Sequence, residues 1–275
     1  MRVEAASGRI FSCLMVASHC ARTRSMSLAS KRGLISISAN SATTNAEYKP
    51  KLRQSRVAPP NLLDEVIGVT RTSLPTPEET KSILEGVFHF HPLAIEDAKK
   101  QNQRPKVDQY PDHLFMSIPT VDIRFAPGEL ETSELDIFLG RNYIVTISET
   151  PLETIQQLAQ SYASANQAPT SAAALLHTIL DAIVDDFFPA MDTLDTAIDV
   201  LEARAFSSGD PVPISETVKI KRDLIVLRRA LAPMRDVINH ILRTSDTLLI
   251  PASLMPYFHD VYDHTLRLVE TIDGA

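Results

Sequence analysis

Between Ala172 and Ala205 the chain carries a helical repeat that divides into two faces. At about 100° per residue, Ile179, Ile183, Phe187, Ala190, Leu194, Ala197 and Leu201 fall on one arc. Asp181, Asp185, Asp192, Asp195 and Asp199 fall within about 80° on the opposite side. One face of such a helix must pack, and the other concentrates negative charge. A plain solvated face mixes signs, whereas this stretch sets seven acids against Arg204 alone. We read Asp185, Asp192, Asp195 and Asp199 as an acidic stripe whose diffuse field attracts cations. Pro189 predicts a kink.

The segment from Ile214 to Arg243 has the opposite balance, seven basic residues against three acids. An antiparallel helical hairpin of opposite charge follows. Its basic residues include Lys219, Arg222, Arg228 and Arg229, within reach of the acidic face of the same or a neighbouring copy. After Leu249-Ile250-Pro251 a third helix begins, in which Asp260 and His264 stand four residues apart, on one face and at metal-ligand spacing.

The first half of the chain has a different texture. Pro75 to Phe88 reads as a helix with Thr76 as N-cap and Pro77 at its first position. His91 caps a second, short helix that starts at Pro92 and carries Glu96 and Asp97. Leu114 to Phe125 has strand composition, and Glu134 to Ser148 is two apolar runs joined by Gly140-Arg141-Asn142, a hairpin signal. The fold class expected is α+β: a mixed domain with a β-sheet and flanking helices, then a long helical hairpin and part of a further helix. The divisions are a basic, Ser/Arg-rich tail over 1–60, disordered or targeting; an α/β domain over 61–168; and the helical part over 169–275.

Charge and composition exclude several functions. The 275 residues carry a net charge of −7, but up to Pro60 the balance is +8 and beyond it −15. An acidic body is not that of a nucleic-acid binder, whose phosphate contacts need a basic folded face. Both cysteines, Cys13 and Cys20, lie in the tail, so the body has no thiol for catalysis or zinc. The scattered glycines form neither a dinucleotide fingerprint nor a phosphate loop, and HExxH and GxSxG are absent. The chain reads as no enzyme. The run from Ile10 to Ala17 is too short to span a bilayer, and no other segment approaches 18 uninterrupted apolar residues.

Five blocks carry a family resemblance: HPLAIEDAKKQNQRPKVDQYPDHLF, ELDIFLGRNYIVTIS, LLHTILDAIVDDFFP, LRRALAPMRDVINHILR and PYFHDVYDHTLRLVET. Together, from about Leu74 to Ile272, they resemble the CorA family of magnesium and cobalt transport proteins. The resemblance implies a funnel-shaped α/β domain, acidic hairpin helices and a stalk helix leading to two membrane spans, assembled as a homopentamer. A family member continues past the stalk into a span ending in Gly-Met-Asn. This sequence stops earlier, so it resembles the soluble domain with a truncated stalk, and the tail lacks the look of the family's opening strands.

By the same resemblance, Asp97 of one copy faces Asp260 of the next, and Glu96, Asp181 and His264 complete a second nearby metal site. The ion implied is Mg²⁺, with Co²⁺ or Ni²⁺ as alternatives. Mg²⁺ prefers oxygen ligands and keeps several waters, so His264 is expected to meet a bound water rather than the ion. The expected function is cation sensing for a divalent-cation channel, gated by Mg²⁺ bridges between copies. The alternatives are a non-conducting, cation-binding regulatory module and a zinc transporter domain of the ZntB type. The expected location is the cytoplasmic face of the plasma membrane, reached through segments outside this sequence; the mitochondrial inner membrane and a soluble state are the alternatives.

Overall fold

The computed structural model describes residues 10–15, 68–70, 84–86, 88–100, 103–141, 143–148, 150–164, 169–207, 213–243 and 249–275. Strands β1 (Ile10–Met15), β2 (Gly68–Thr70), β3 (Lys106–Gln109), β4 (Leu114–Val121), β5 (Thr132–Leu139) and β6 (Tyr143–Ser148) form one sheet in the order β2-β1-β6-β5-β4-β3. Every neighbouring pair is antiparallel. Strands β3 to β6 are a meander. The run at Ile10–Met15, expected within a tail, is β1 and pairs with β6 along its length. The rest of that tail and most of the helix expected at Pro75–Phe88, including Thr76, lie outside the described residues.

Strands β4, β5 and β6 are buried on both faces, so their apolar residues sort by parity into two cores. Leu114, Met116, Ile118, Leu135, Ile137, Leu139 and Ile144 join the core formed with the long helices. Phe115, Phe138, Val145 and Ile147 join a smaller core with Leu84, Phe90 and the short helix α1 (Pro92–Asp97). Pro119, which has no N–H to donate, sits beyond Ser117, the last residue of β4 to pair with β3, where β4 is locally an edge. The β5–β6 turn closes with Gly140 N–H donating to the Tyr143 carbonyl at 3.0 Å. A Cβ at Gly140 would stand 2.2 Å from the Tyr143 ring, so only glycine fits that approach.

The helical layer comprises α2 (Glu153–Ser164), α3 (Ala172–Asp185), α4 (Phe187–Ser207), α5 (Ile214–Arg243) and α6 (Met255–Gly274), the last preceded by a 3₁₀ turn at Ala252–Leu254. The helix expected from Ala172 to Ala205 is two. The break falls at Asp186, three residues before Pro189, because the proline cannot donate to the Asp185 carbonyl and its ring crowds that turn. Pro189 then occupies the first turn of α4, where a missing N–H costs little. Most of the face anticipated as apolar is buried: Ile179, Ile183, Phe187, Ala190 and Leu194 are in the core, while Ala197 and Leu201, further along α4, are only half-buried.

Candidate metal centre

Helix α1 forms because Pro92 supplies a preset φ at its first turn and His91 Nδ1 accepts from Leu93 N–H at 3.3 Å. Ala94 and Ile95 are buried, which turns Glu96 and Asp97 away from the core. Neither carboxylate is without a cation. Lys100 Nζ lies 2.8 Å from Glu96 Oε1 and 3.8 Å from Asp97 Oδ1. Lys106 Nζ, from β3, donates to Asp97 Oδ2 at 2.6 Å and lies 3.0 Å from Asp108 Oδ2. Burial opposes the charge on Lys106, but the hydrogen bonds to Asp97 and Asp108 outweigh it and hold its pKa above the ordinary lysine value. Gln103 Nε2 donates to the Asp97 carbonyl at 2.5 Å, fixing the end of α1.

A second group forms where α6 packs on α3. Asp181, Asp185 and His264 each present a ligand atom, and these atoms all lie within 4.8 Å of one another. His264 Nδ1 is 3.9 Å from Asp185 Oδ1, and its Nε2 is 4.0 Å from Asp260 Oδ1. The imidazole stands edge-on to Phe188 with centroids 5.8 Å apart, and Arg267 lies over the same ring, so the His264 ring is held on its apolar side. Burial, the neighbouring Asp181 and then Asp260 push the Asp185 pKa up, while His264 opposes the shift. Like charges at this spacing repel by about 1 kcal/mol in bulk water and about 3–4 kcal/mol at near-surface dielectric. A divalent cation replaces that repulsion by attraction.

The donor set is carboxylate oxygen with one imidazole. It suits a hard cation that keeps part of its water shell, with His264 placed to accept from a bound water or to ligate a softer ion. Of the residues singled out in the sequence, Asp181, Asp260 and His264 come together, and Asp185, first grouped with the stripe, joins them. Glu96 and Asp97 stand apart, on a helix that packs against the other face of the sheet. Asp192, Asp195 and Asp199 remain on α4, with Asp192 and Asp199 exposed. Among the described residues Arg228 of α5 pairs with Asp273 of α6 at 2.9 Å rather than with these aspartates, and the α4–α5 ion pair runs the other way, from Arg204 of α4 to Glu216 of α5 at 2.6 Å.

In fold the chain is similar to several solved structures. It superposes on the soluble domain of CorA from Methanocaldococcus jannaschii with a TM-score of 0.63 at 18% identity, over 73% of this chain and 80% of that one. The full-length CmaX protein superposes with a TM-score of 0.69 at 14% identity, over 99% of this chain and 74% of that one. The cytoplasmic domain of ZntB from Vibrio parahaemolyticus gives 0.58 at 16%, over 69% and 75%. A model of the CorA-like Mg²⁺ transporter proteins matches residues 71–274, and the chain belongs to that family.

Two curated relatives agree. The chain is 33% identical over 202 residues to the putative metal ion transporter YfjQ of Bacillus subtilis, covering 72% of this chain and 61% of that protein. It is 30% identical over 188 residues to the cobalt/magnesium transport protein CorA of Thermotoga maritima, covering 68% and 53%. The chain thus spans a little over half the length of these relatives. No helix among the described residues is long and apolar enough to cross a membrane.

Proposed function

We propose that this chain is the cation-sensing part of a CorA-type divalent-cation channel, in which Mg²⁺ bridges adjacent copies of a homo-oligomer and holds the assembly closed. The observation that carries this reading is the placement of the carboxylates on opposite faces of one sheet. Asp97 belongs to the α1 side, and Asp181, Asp185, Asp260 and His264 to the α3–α6 side. Within one chain the two groups are kept apart, so a shared ion must join two copies. A head-to-tail contact of this kind repeats around a closed ring, and a pentamer is the ring we favour by likeness to the family. Each bridge stabilises the symmetric state by the difference in ion affinity between the two states, and loss of the ion releases it.

In this reading Asp97 of one copy and Asp260 of the next hold one ion, while Glu96, Asp181, Asp185 and His264 surround a second. Asp192, Asp195 and Asp199 raise the local cation concentration without a fixed stoichiometry. The test is sedimentation velocity of the wild type, Asp97→Asn and Asp260→Asn in MgCl₂ and in NaCl of equal ionic strength. The wild type is expected to associate more in MgCl₂, and both variants to lose most of that response. Full wild-type response in both variants ends the assignment. Parallel titrations with Co²⁺, Ni²⁺ and Zn²⁺ separate a magnesium sensor from a zinc-type domain.

A further inference from the structure

The position of Lys106 bears on how the Asp97 site fills. Its ammonium is shared between Asp97 Oδ2 at 2.6 Å and Asp108 Oδ2 at 3.0 Å, and it lies 5.5 Å from the centroid of the Phe115 ring. Lys106 lies on β3, and its register opposite Ser117 fixes its backbone relative to Asp97. Asp97 and Lys106 are both largely shielded, at 21% and 30% exposure, so their charge-assisted hydrogen bond is only partly screened by water. This bond takes Asp97 Oδ2, so a cation on Asp97 either displaces the ammonium or binds at Oδ1 beside its positive charge.

We infer that Lys106 is a tethered counter-ion that occupies Asp97 until a divalent cation displaces it, and so sets the cation concentration at which the site fills. This rests on the reading of Asp97 as a cation ligand. Asp108 gives the mechanism its second position. When the ion takes Asp97, the ammonium keeps a carboxylate partner on its own strand and moves by no more than a rotamer change. Displacement therefore costs less than expelling a lysine into water, and the threshold depends on the balance between Asp97 and Asp108. Lys100 does not have this geometry: it meets Asp97 only at 3.8 Å and is more than half exposed.

The experiment measures the MgCl₂ concentration for half-maximal association of the full chain by sedimentation, at constant ionic strength, in the wild type, Lys106→Met, Asp108→Asn, Lys99→Met and Asp97→Asn. Methionine keeps the apolar stem over Phe115 and removes only the charge, and urea unfolding without Mg²⁺ checks that each variant folds. Lys106→Met is expected to lower the midpoint by about tenfold, the scale of one charge-assisted hydrogen bond. Asp108→Asn is expected to raise it severalfold, because Lys106 then has Asp97 alone. Lys99→Met removes a neighbouring positive charge with no described contact to Asp97 and is expected to shift the midpoint far less. Equal shifts for Lys99→Met and Lys106→Met reduce the effect to a general field and overturn the inference. A wild-type midpoint in Lys106→Met overturns it too, with the Asp97 reading intact if Asp97→Asn still abolishes the response. Undiminished response in Asp97→Asn overturns both.

Discussion

His264 on α6 places its Nδ1 3.9 Å from Asp185 Oδ1 at the last turn of α3, and Asp181 completes the group one helical turn earlier. Asp181 and Asp185 are like charges one turn apart on the same helix, with oxygens within 4.8 Å of each other, and they store repulsion that a cation relieves. Asp185→Asn should therefore act with opposite signs in two conditions. Without divalent ions it should leave the melting temperature equal to or slightly above that of the wild type. With millimolar Mg²⁺ it should show a smaller ion-induced rise, because a ligand that binds only the folded state stabilises by mass action. Thermal melts with Mg²⁺ and with NaCl of equal ionic strength measure both, and an unchanged Mg²⁺ increment removes Asp185 from the site.

The loop between β4 and β5 is fastened to the hairpin by one buried carboxylate. Asp223 on α5 is fully buried and accepts from Gly128 N–H, and Gly128 has φ +94, where a Cβ would come within 2.8 Å of the Lys219 side chain. Gly128→Ala should cost about 1–3 kcal/mol through backbone strain. Asp223→Ala should cost about 1.5–3 kcal/mol by leaving the Gly128 donor without its acceptor. The double variant should cost less than the two together, since both act on the same latch. Urea unfolding of the three variants gives the values, and full additivity would show the two residues to be independent.

These two sites differ in how far the sequence announces them. The α3–α4 stripe is legible because burial selects one arc of a helix, and an arc is a property of spacing alone. The Glu96 and Lys100 pair is legible too, as an acid four residues before a base. The Asp97 and Lys106 pair is not, because it joins a helix end to a strand through tertiary packing, and no local period encodes it. Asp185 looked like one member of the stripe until the break at Asp186 separated it from the α4 aspartates and α6 brought His264 beside it. Helix α2 is legible as a helical period, since Ile155, Leu158, Ala159 and Tyr162 stand at i, i+3, i+4 and i+7; Ile155 and Ala159 are buried, and Leu158 and Tyr162 pack against the larger core. Strand β1 was unreadable for another reason: a single apolar run in a basic stretch looks the same whether it pairs with β6 or not.

The smaller core should be the less forgiving one. Phe138 is completely buried and stacks on Phe90 with centroids 4.2 Å apart, while Phe115 meets it at 4.9 Å. Phe138→Ala removes the ring that ties β4, β5 and the α1 side together and should cost about 3–5 kcal/mol. Arg228→Ala breaks an exposed pair with Asp273 and should cost less than about 1 kcal/mol. Chemical denaturation of both variants checks the ordering. A comparable loss from Arg228→Ala would mean that the α5–α6 contact depends on that ion pair rather than on its apolar seam.

His113 supplies a pH dependence whose sign is fixed by its surroundings. The ring is 1% exposed and lies between Tyr110 and Phe90, each with its centroid 4.8 Å away. Burial lowers its pKa below the ordinary histidine value; the bond to Asp112 at 2.6 Å opposes the shift and the nearby His91 adds to it. The folded chain thus holds this proton less readily than the unfolded chain, whose histidine titrates near about 6.5. Stability from His113 is fully present above that pH and falls as the pH drops toward and through the folded value. His113→Phe keeps a planar ring in the stack and removes the titration, so its unfolding free energy should decline less steeply between pH 7.5 and 5.5. Urea unfolding at intervals across that range makes the comparison. Parallel curves for the two proteins would mean that His113 binds its proton alike in the folded and unfolded chains, with Asp112 offsetting its burial in full.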